Sequence, residues 1–162
     1  MAQDKEIVAL NGKLNKTYVA FGKNGAARLK MQVTNDTQSA RISVSNLADR
    51  TSSKASRYYG NDSWDLVDAC EKDLATLSKL KDEDLPEDMK GMSVAERKAF
   101  ITKKKQERET IKTAIQKLGK EREQYIAEAR EKLADTGADS IDALMIKAIR
   151  AQAGARNFGF TE

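Results

Sequence analysis

Residues 93–135 read SVAERKAFITKKKQERETIKTAIQKLGKEREQYIAEAREKLAD, and this stretch decides the fold class. It opens on Ser93-Val-Ala-Glu96, a capping box: the serine side chain can accept from the backbone N–H of Glu96, and Glu96 can reach back to Ser93. Behind the box, Phe100/Ile101, Ile111, Ile115, Leu118, Tyr125/Ile126, Ala129 and Leu133 recur at helical spacing. Nothing ends the helix before Asp135-Thr-Gly137. At about 1.5 Å per residue it would run roughly 65 Å, more than a compact domain of this size needs. The expectation is therefore an arm that projects, or one half of an antiparallel pair. Gly119, which costs about 1 kcal/mol relative to alanine, is the expected bend.

Upstream lies an acidic connector, residues 81–92, which holds the only proline, Pro86. Before it, the turn Gly60-Asn61-Asp62-Ser63 leads into Trp64, Val67, Cys70, Leu74 and Leu77, a helical stripe over about 63–80. Farther back, Leu29, Val33, Ala40, Val44, Leu47, Ala55 and Tyr58 predict a helix over about 26–58. Ala40–Ser45 alternates like a strand, but no second run offers it a partner for its backbone groups, so helix is the reading. Ile7, Leu10, Leu14, Tyr18 and Phe21 predict a first helix over about 4–21, broken by Gly22-Lys-Asn-Gly25. Downstream, Ile141, Leu144, Met145, Ala148 and Ile149 predict a last helix over about 140–153. Phe158-Gly-Phe160 is then expected to pin the terminus back. The expected architecture is all-α: one helical domain over 1–162, an elongated bundle or antiparallel coiled-coil-like arrangement.

Composition narrows the chemistry. The absence of His removes the commonest general base and metal ligand. One Cys allows no internal disulfide and no CxxC pair. No apolar run is long enough to span a membrane, and Gln3-Asp4-Lys5-Glu6 is unlike the start of a signal peptide. The net charge of +4 averages four unlike segments: +6 over 1–60, −6 over 61–92, +4 over 93–135 and zero over 136–162. Such an order predicts that the acidic stretch lies against basic faces, the alternative being two separate surfaces of opposite sign.

Few constellations could carry chemistry. Gly22–Gly25 opens a helix but lacks the spacing of a phosphate-binding loop. Asp82, Glu83, Asp84, Glu87 and Asp88 are dense enough to attract calcium, yet they lack the alternating ligands and closing glutamate of an EF-hand. Cys70 sits on an apolar stripe and reads as a small hydrophobe. Ser53-Lys54 are sequence neighbours that a helix points apart. Asp65 and Asp68 could share a face as paired carboxylates, or serve a helix start. Lys103-Lys104-Lys105 with Arg108 makes a basic patch, interrupted by Glu107 and Glu109, which suit i,i+4 pairs with Lys103 and Lys105. No aromatic residues interleave that patch to stack bases. No cofactor, metal site or catalytic group is expected. The candidate interaction surfaces are the face of Lys103, Lys104, Lys105 and Arg108, and the acidic residues Asp82, Glu83, Asp84, Glu87 and Asp88.

Three blocks give the chain a family resemblance. Residues 6–22 (EIVALNGKLNKTYVAFG), Ser63-Trp-Asp-Leu-Val-Asp-Ala69, and Leu85-Pro-Glu-Asp-Met-Lys-Gly-Met-Ser93 leading through Glu96-Arg97-Lys98 to Glu107-Arg108 are similar to the helical region that follows the von Willebrand factor A (VWA) domain in bacterial cell-envelope proteins. Ala148–Ala153 before Phe158-Gly-Phe160 also fits. The VWA domain itself is an α/β module whose metal site uses Asp-x-Ser-x-Ser, a motif these residues do not contain, so no metal ligand is carried over. The resemblance implies export to the periplasm or the cell exterior, with the signal peptide and VWA module upstream. It also implies a protein partner, either the adjoining VWA domain or another envelope protein.

The expected function is thus a non-catalytic helical interaction or spacer module, with self-association into a homo-oligomer as a further option. The alternative is a nucleic-acid-binding helical protein using the basic face of the long helix.

Overall fold

The long helix begins where its capping box places it. The Ser93 hydroxyl accepts from the Glu96 backbone N–H at 3.3 Å, and the Glu96 carboxylate accepts from the Ser93 N–H at 2.8 Å. The computed structural model describes residues 1–135 and 141–156, with side chains for 1–132 and 144–156. All regular elements among them are helical: α1 (Ala2–Asn15), α2 (Gly25–Ile42), α3 (Val44–Ala55), α4 (Leu66–Lys72), α5 (Thr76–Lys79), α6 (Val94–Asp135) and α7 (Ile141–Gly154). The protein is all-α. Helix α6 has 42 residues and is unbroken through Gly119. The aromatics of 158–160 lie outside the described residues.

Three expected helices are shorter or divided. Helix α1 stops at Asn15, where 4–21 was expected. The Thr17 hydroxyl bonds back to the Leu14 carbonyl at 2.7 Å, and the chain then runs extended. Phe21 N–H donates to the Trp64 carbonyl and Leu66 N–H to the Val19 carbonyl, around an isolated antiparallel bridge between Ala20 and Asp65. The backbone of 18–21 thus finds its partners across the fold rather than along a helix. Gly22 turns the chain at φ +69°, and Gly25 comes so close that a Cβ there would sit 3.1 Å from the Ala20 carbonyl carbon. The positive φ favours glycine at 22, and at 25 a side chain would press on the Ala20 backbone.

The expected helix 26–58 divides at Ser43, whose backbone is extended and whose hydroxyl accepts from Asn46 N–H at 2.9 Å as the cap of α3. A strand over 40–45 is not formed: Ser43 alone is extended there, between two helices. The expected helix 63–80 divides at Asp73, whose carboxylate offers the Ala75 N–H a local acceptor at 2.9 Å in place of a helical carbonyl. Val33, Val44, Tyr58 and Leu74, expected on buried stripes, are exposed. The acidic connector is not a loop throughout. It makes two short 3-10 turns, Asp82–Asp84 and Glu87–Met89, and drops Leu85 and Met89 into the core.

The chain divides into two units, Met1–Arg122 and Glu123–Glu162. The first has two apolar clusters. In one, Leu66, Val67, Cys70, Leu77, Leu85 and Met89 pack against Val19 and Ile101. In the other, Ile7 and Leu14 of α1 meet Ala48, Ala55, Tyr18, Trp64 and Ile115. The Tyr18 and Trp64 rings sit 5.6 Å apart there, tilted at 31°. The second unit holds the last turns of α6 and all of α7. Its Tyr125, Leu144, Met145, Ile146 and Ile149 are exposed.

Candidate functional site: a buried arginine clamp and the surfaces around it

Asp65 caps helix α4, its carboxylate accepting from the Asp68 N–H at 3.1 Å. That cap turns both carboxylates toward α6, where Arg108 meets them. Its guanidinium donates to Asp65 at 2.6 Å and to Asp68 at 2.7 Å. It also donates to the Thr17 hydroxyl at 3.0 Å and the Thr17 carbonyl at 2.7 Å, and stacks 4.3 Å from the Tyr18 ring centre. Asp65 further accepts from the Val19 N–H at 2.7 Å. Arg108 and Asp65 are 2% and 0% exposed, so one guanidinium joins α6, the α4 cap and the extended segment after α1 inside the core.

Burial disfavours the charge on Arg108, but the hydrogen bonds and charge of Asp65, with Asp68, outweigh it and raise its pKa. Asp68 is raised above the usual carboxylate range, first by burial and then by the charge of Asp65, against the pull of Arg108. The pair first read as possible acid–base carboxylates is therefore the anionic half of a clamp, both members occupied by one arginine. Arg108, expected on the surface with the lysines, is corrected to a core residue. A signal for this was present: Ile101, Arg108, Ile115 and Arg122 recur every seven residues, and a heptad stripe on a long helix faces inward.

A second buried network ties α1, α2 and α3. Lys54 is fully buried and donates to Asp36, Asn11 and Asn15, each at 2.7 Å. Asp36 also accepts from Asn11 at 3.0 Å, Asn15 at 2.7 Å and Arg50 at 2.7 Å. Burial lowers the Lys54 pKa despite Asp36. For Asp36, burial is outweighed by Lys54 and the asparagine amides, so its carboxyl stays below the usual range. A third link joins Arg122 to Asp4 at 2.6 Å and to Asp49 at 2.7 Å. Ser53, considered beside Lys54, donates to the Asp49 carbonyl and is exposed, whereas Lys54 points inward.

The candidate surfaces are only partly brought together. Lys105 pairs with Glu71 at 3.1 Å, Lys104 with Glu107 at 3.6 Å, and Lys104 also reaches the Lys16 carbonyl; Lys103 is exposed. The expected pairs with Glu107 and Glu109 at i+4 are thus replaced by Lys104–Glu107 and Lys105–Glu71. Asp82 binds Arg97, Glu83 pairs with Lys81, Glu87 pairs with Lys90, and Asp88 is exposed. The Asp84 carbonyl accepts from the Gly22 N–H. Among the described residues no three His, Cys, Asp or Glu side chains converge as metal ligands. The acidic stretch meets α6 through Arg97–Asp82, Lys105–Glu71 and the Arg108 clamp, the charge complementation that the segregated sequence predicts.

Cys70 is buried in the first cluster, and burial, helped by the charges of Asp65 and Asp73, pushes its thiol up to about 11. A thiolate does not form there near neutrality. An open cleft of about 600 Å³ runs between residues 55–62, α4 and α6. Its walls mix both signs, with Lys72 on Asp62 at 2.7 Å and Lys105 on Glu71. No helix among the described residues is long and apolar enough to cross a membrane. Comparison with known proteins finds no matching family model, no matching curated protein and no matching solved structure.

Proposed function

We propose that the chain is a non-catalytic helical interaction and spacer module, accessory to a VWA domain in a bacterial envelope protein. One observation carries the reading: Leu144, Met145, Ile146 and Ile149 of α7 are 46–57% exposed. A helix with that many large apolar side chains in water gains free energy when a partner covers them. Meanwhile the carboxylates, lysine and arginine of the first unit that could attract a catalytic reading are engaged in hydrogen-bonded networks that hold helices together. The VWA association rests on the blocks at 63–69 and 85–93. These blocks supply the Asp65 and Asp68 arms of the clamp and the buried Leu85 and Met89. Nucleic-acid binding is less well served, because Arg108 leaves the basic face and Lys104 and Lys105 are already engaged.

The test is a photo-crosslinking residue at Met145 in the full chain, used in cells that produce it. A defined protein adduct is expected, lost when Ile149→Asp is added. Absence of any adduct overturns the interaction role. Salt-dependent affinity for duplex or single-stranded DNA, measured by anisotropy, would favour the nucleic-acid alternative.

A further inference from the structure

We infer that Lys54 and Asn15 join in a self-formed isopeptide bond, which ties α3 covalently to the end of α1. Lys54 is fully buried, and its Nζ donates at 2.7 Å to the carboxamide oxygens of Asn11 and Asn15 and to Asp36 Oδ2. A lysine nitrogen held against a carboxamide where water is excluded is placed for aminolysis, because the encounter has already been made by folding. Burial also loosens the hold of Lys54 on its proton. Asn15 is the better electrophile of the two. Its Oδ1 accepts a further hydrogen bond from Gln32 Nε2 at 3.3 Å, a donor able to steady the oxyanion formed on attack. Gln32 is itself 4% exposed, and the Tyr59 hydroxyl donates to its Oε1 at 3.0 Å and fixes it. Among the described residues, Asn11 Oδ1 has only Lys54 as a donor.

Asp36 completes the set. Its Oδ2 accepts from Lys54 Nζ and from Asn15 Nδ2, each at 2.7 Å, so one oxygen touches both the attacking nitrogen and the one that must leave. Asp36 takes a proton from the Lys54 ammonium, and the neutral amine forms a bond to Asn15 Cγ. Asp36 passes that proton to Nδ2, the oxyanion collapses and the Cγ–Nδ2 bond breaks. The new amide nitrogen sheds its extra proton to the departing ammonia, and Asp36 ends ionised as it began. One ammonium and one carboxamide thus become one secondary amide and one ammonium ion, without oxidant or cofactor. The bond forms once, within the chain and on no outside substrate, so the non-catalytic reading stands beside it. It spans 39 residues of sequence and braces two helices of the first unit, as a disulfide braces a loop.

Intact-mass spectrometry of the folded full chain, followed over days, tests it. A mass about 17 Da below the sequence value is expected, from the ammonia lost. Trypsin should then release Leu14–Lys16 joined through Asn15 to Lys54 of Thr51–Arg57, in which Lys54 is no longer cleaved. The joined fraction should be independent of chain concentration, and a chain kept in denaturant should hold its full mass. Asn15→Ala should abolish the loss, and Gln32→Leu should slow it at least about tenfold. Unchanged far-ultraviolet circular dichroism confirms that the variants fold. None of these results touches the crosslinking at Met145, so the bond and the interaction role fail separately. A folded wild-type chain that keeps its full mass overturns the inference without any variant. So does a branch on Asn11, or a mass loss confined to Glu6–Lys13 as a succinimide at Asn11-Gly12 with Lys54 free.

Discussion

The first unit and α7 place polarity in opposite ways. Within Met1–Arg122, Lys54, Asp36, Asp65 and Arg108 are all buried and hydrogen-bonded, while in α7 Leu144, Met145, Ile146 and Ile149 stand in water. A buried ion pair contributes little net stability against an apolar replacement, but removing one partner is costly. The internal charges therefore set which helix faces meet, and a mismatched register strands a charge. Among the described residues, the apolar side of α7 carries no comparable side-chain hydrogen bonds. One region is specified from within; the other is available from without.

Arg108→Ala attacks the specified region most severely. It strands Asp65 and Asp68 and should cost about 3–5 kcal/mol, seen as a fall of roughly 10 °C in the thermal midpoint. Arg108→Met, which strands the same carboxylates but keeps the packing, should cost less, and adding Asp65→Asn to it should recover part of the loss. A full recovery by packing alone would remove the clamp from the account. Lys54→Ala should cost about 3 kcal/mol by chemical denaturation, the low end for such a break, because Arg50 still holds Asp36.

Acid should dissect the networks in order. Asp68 has a raised pKa, so the folded state takes up its proton above the ordinary 3.8, and stability rises slightly as pH falls to that point. Asp36 and Asp4 have lowered pKa values, so the stability they confer is present above 3.8 and is lost as pH falls through their folded values. The thermal midpoint should hold or rise slightly toward pH 4 and then fall. Asp68→Asn should abolish the rise, and a midpoint that falls steadily from neutrality would contradict this order. Ser93→Ala, which removes the cap of α6, should cost about 1 kcal/mol. Smallest of all, Met145→Lys should move the thermal midpoint of the first unit by no more than about 0.5 kcal/mol equivalent, since Met145 is 57% exposed in a separate unit. A larger shift would mean that the second unit's apolar side supports the first.

The parts legible in the sequence were those whose cause is local. The Ser93–Glu96 box, the Gly22–Gly25 turn and the inert setting of Cys70 each depend on a few neighbouring residues. Apolar period alone misassigned Tyr18–Phe21, because side-chain spacing does not report where the backbone N–H groups will find acceptors. It also passed over Gln32, Asp36 and Lys54, which are buried although polar, since a polar residue reads as a surface residue until its partner is known. That partner is distant: 18 residues separate Lys54 from Asp36, and 43 separate Arg108 from Asp65.

By itself, then, the amino-acid sequence determined an all-α protein with one long capped helix, charges segregated along the chain, and the amphipathic pattern of α7. These follow from local spacing, propensity and capping, whose interactions reach no farther than a turn or two. Only the tertiary structure decided where α1 ends, that Arg108 leaves its lysine neighbours for the core, and that Asp65 and Asp68 close on it. The reason is that burying a charge is unfavourable until its counter-charge arrives from another element, so its place depends on the whole packing rather than on adjoining residues.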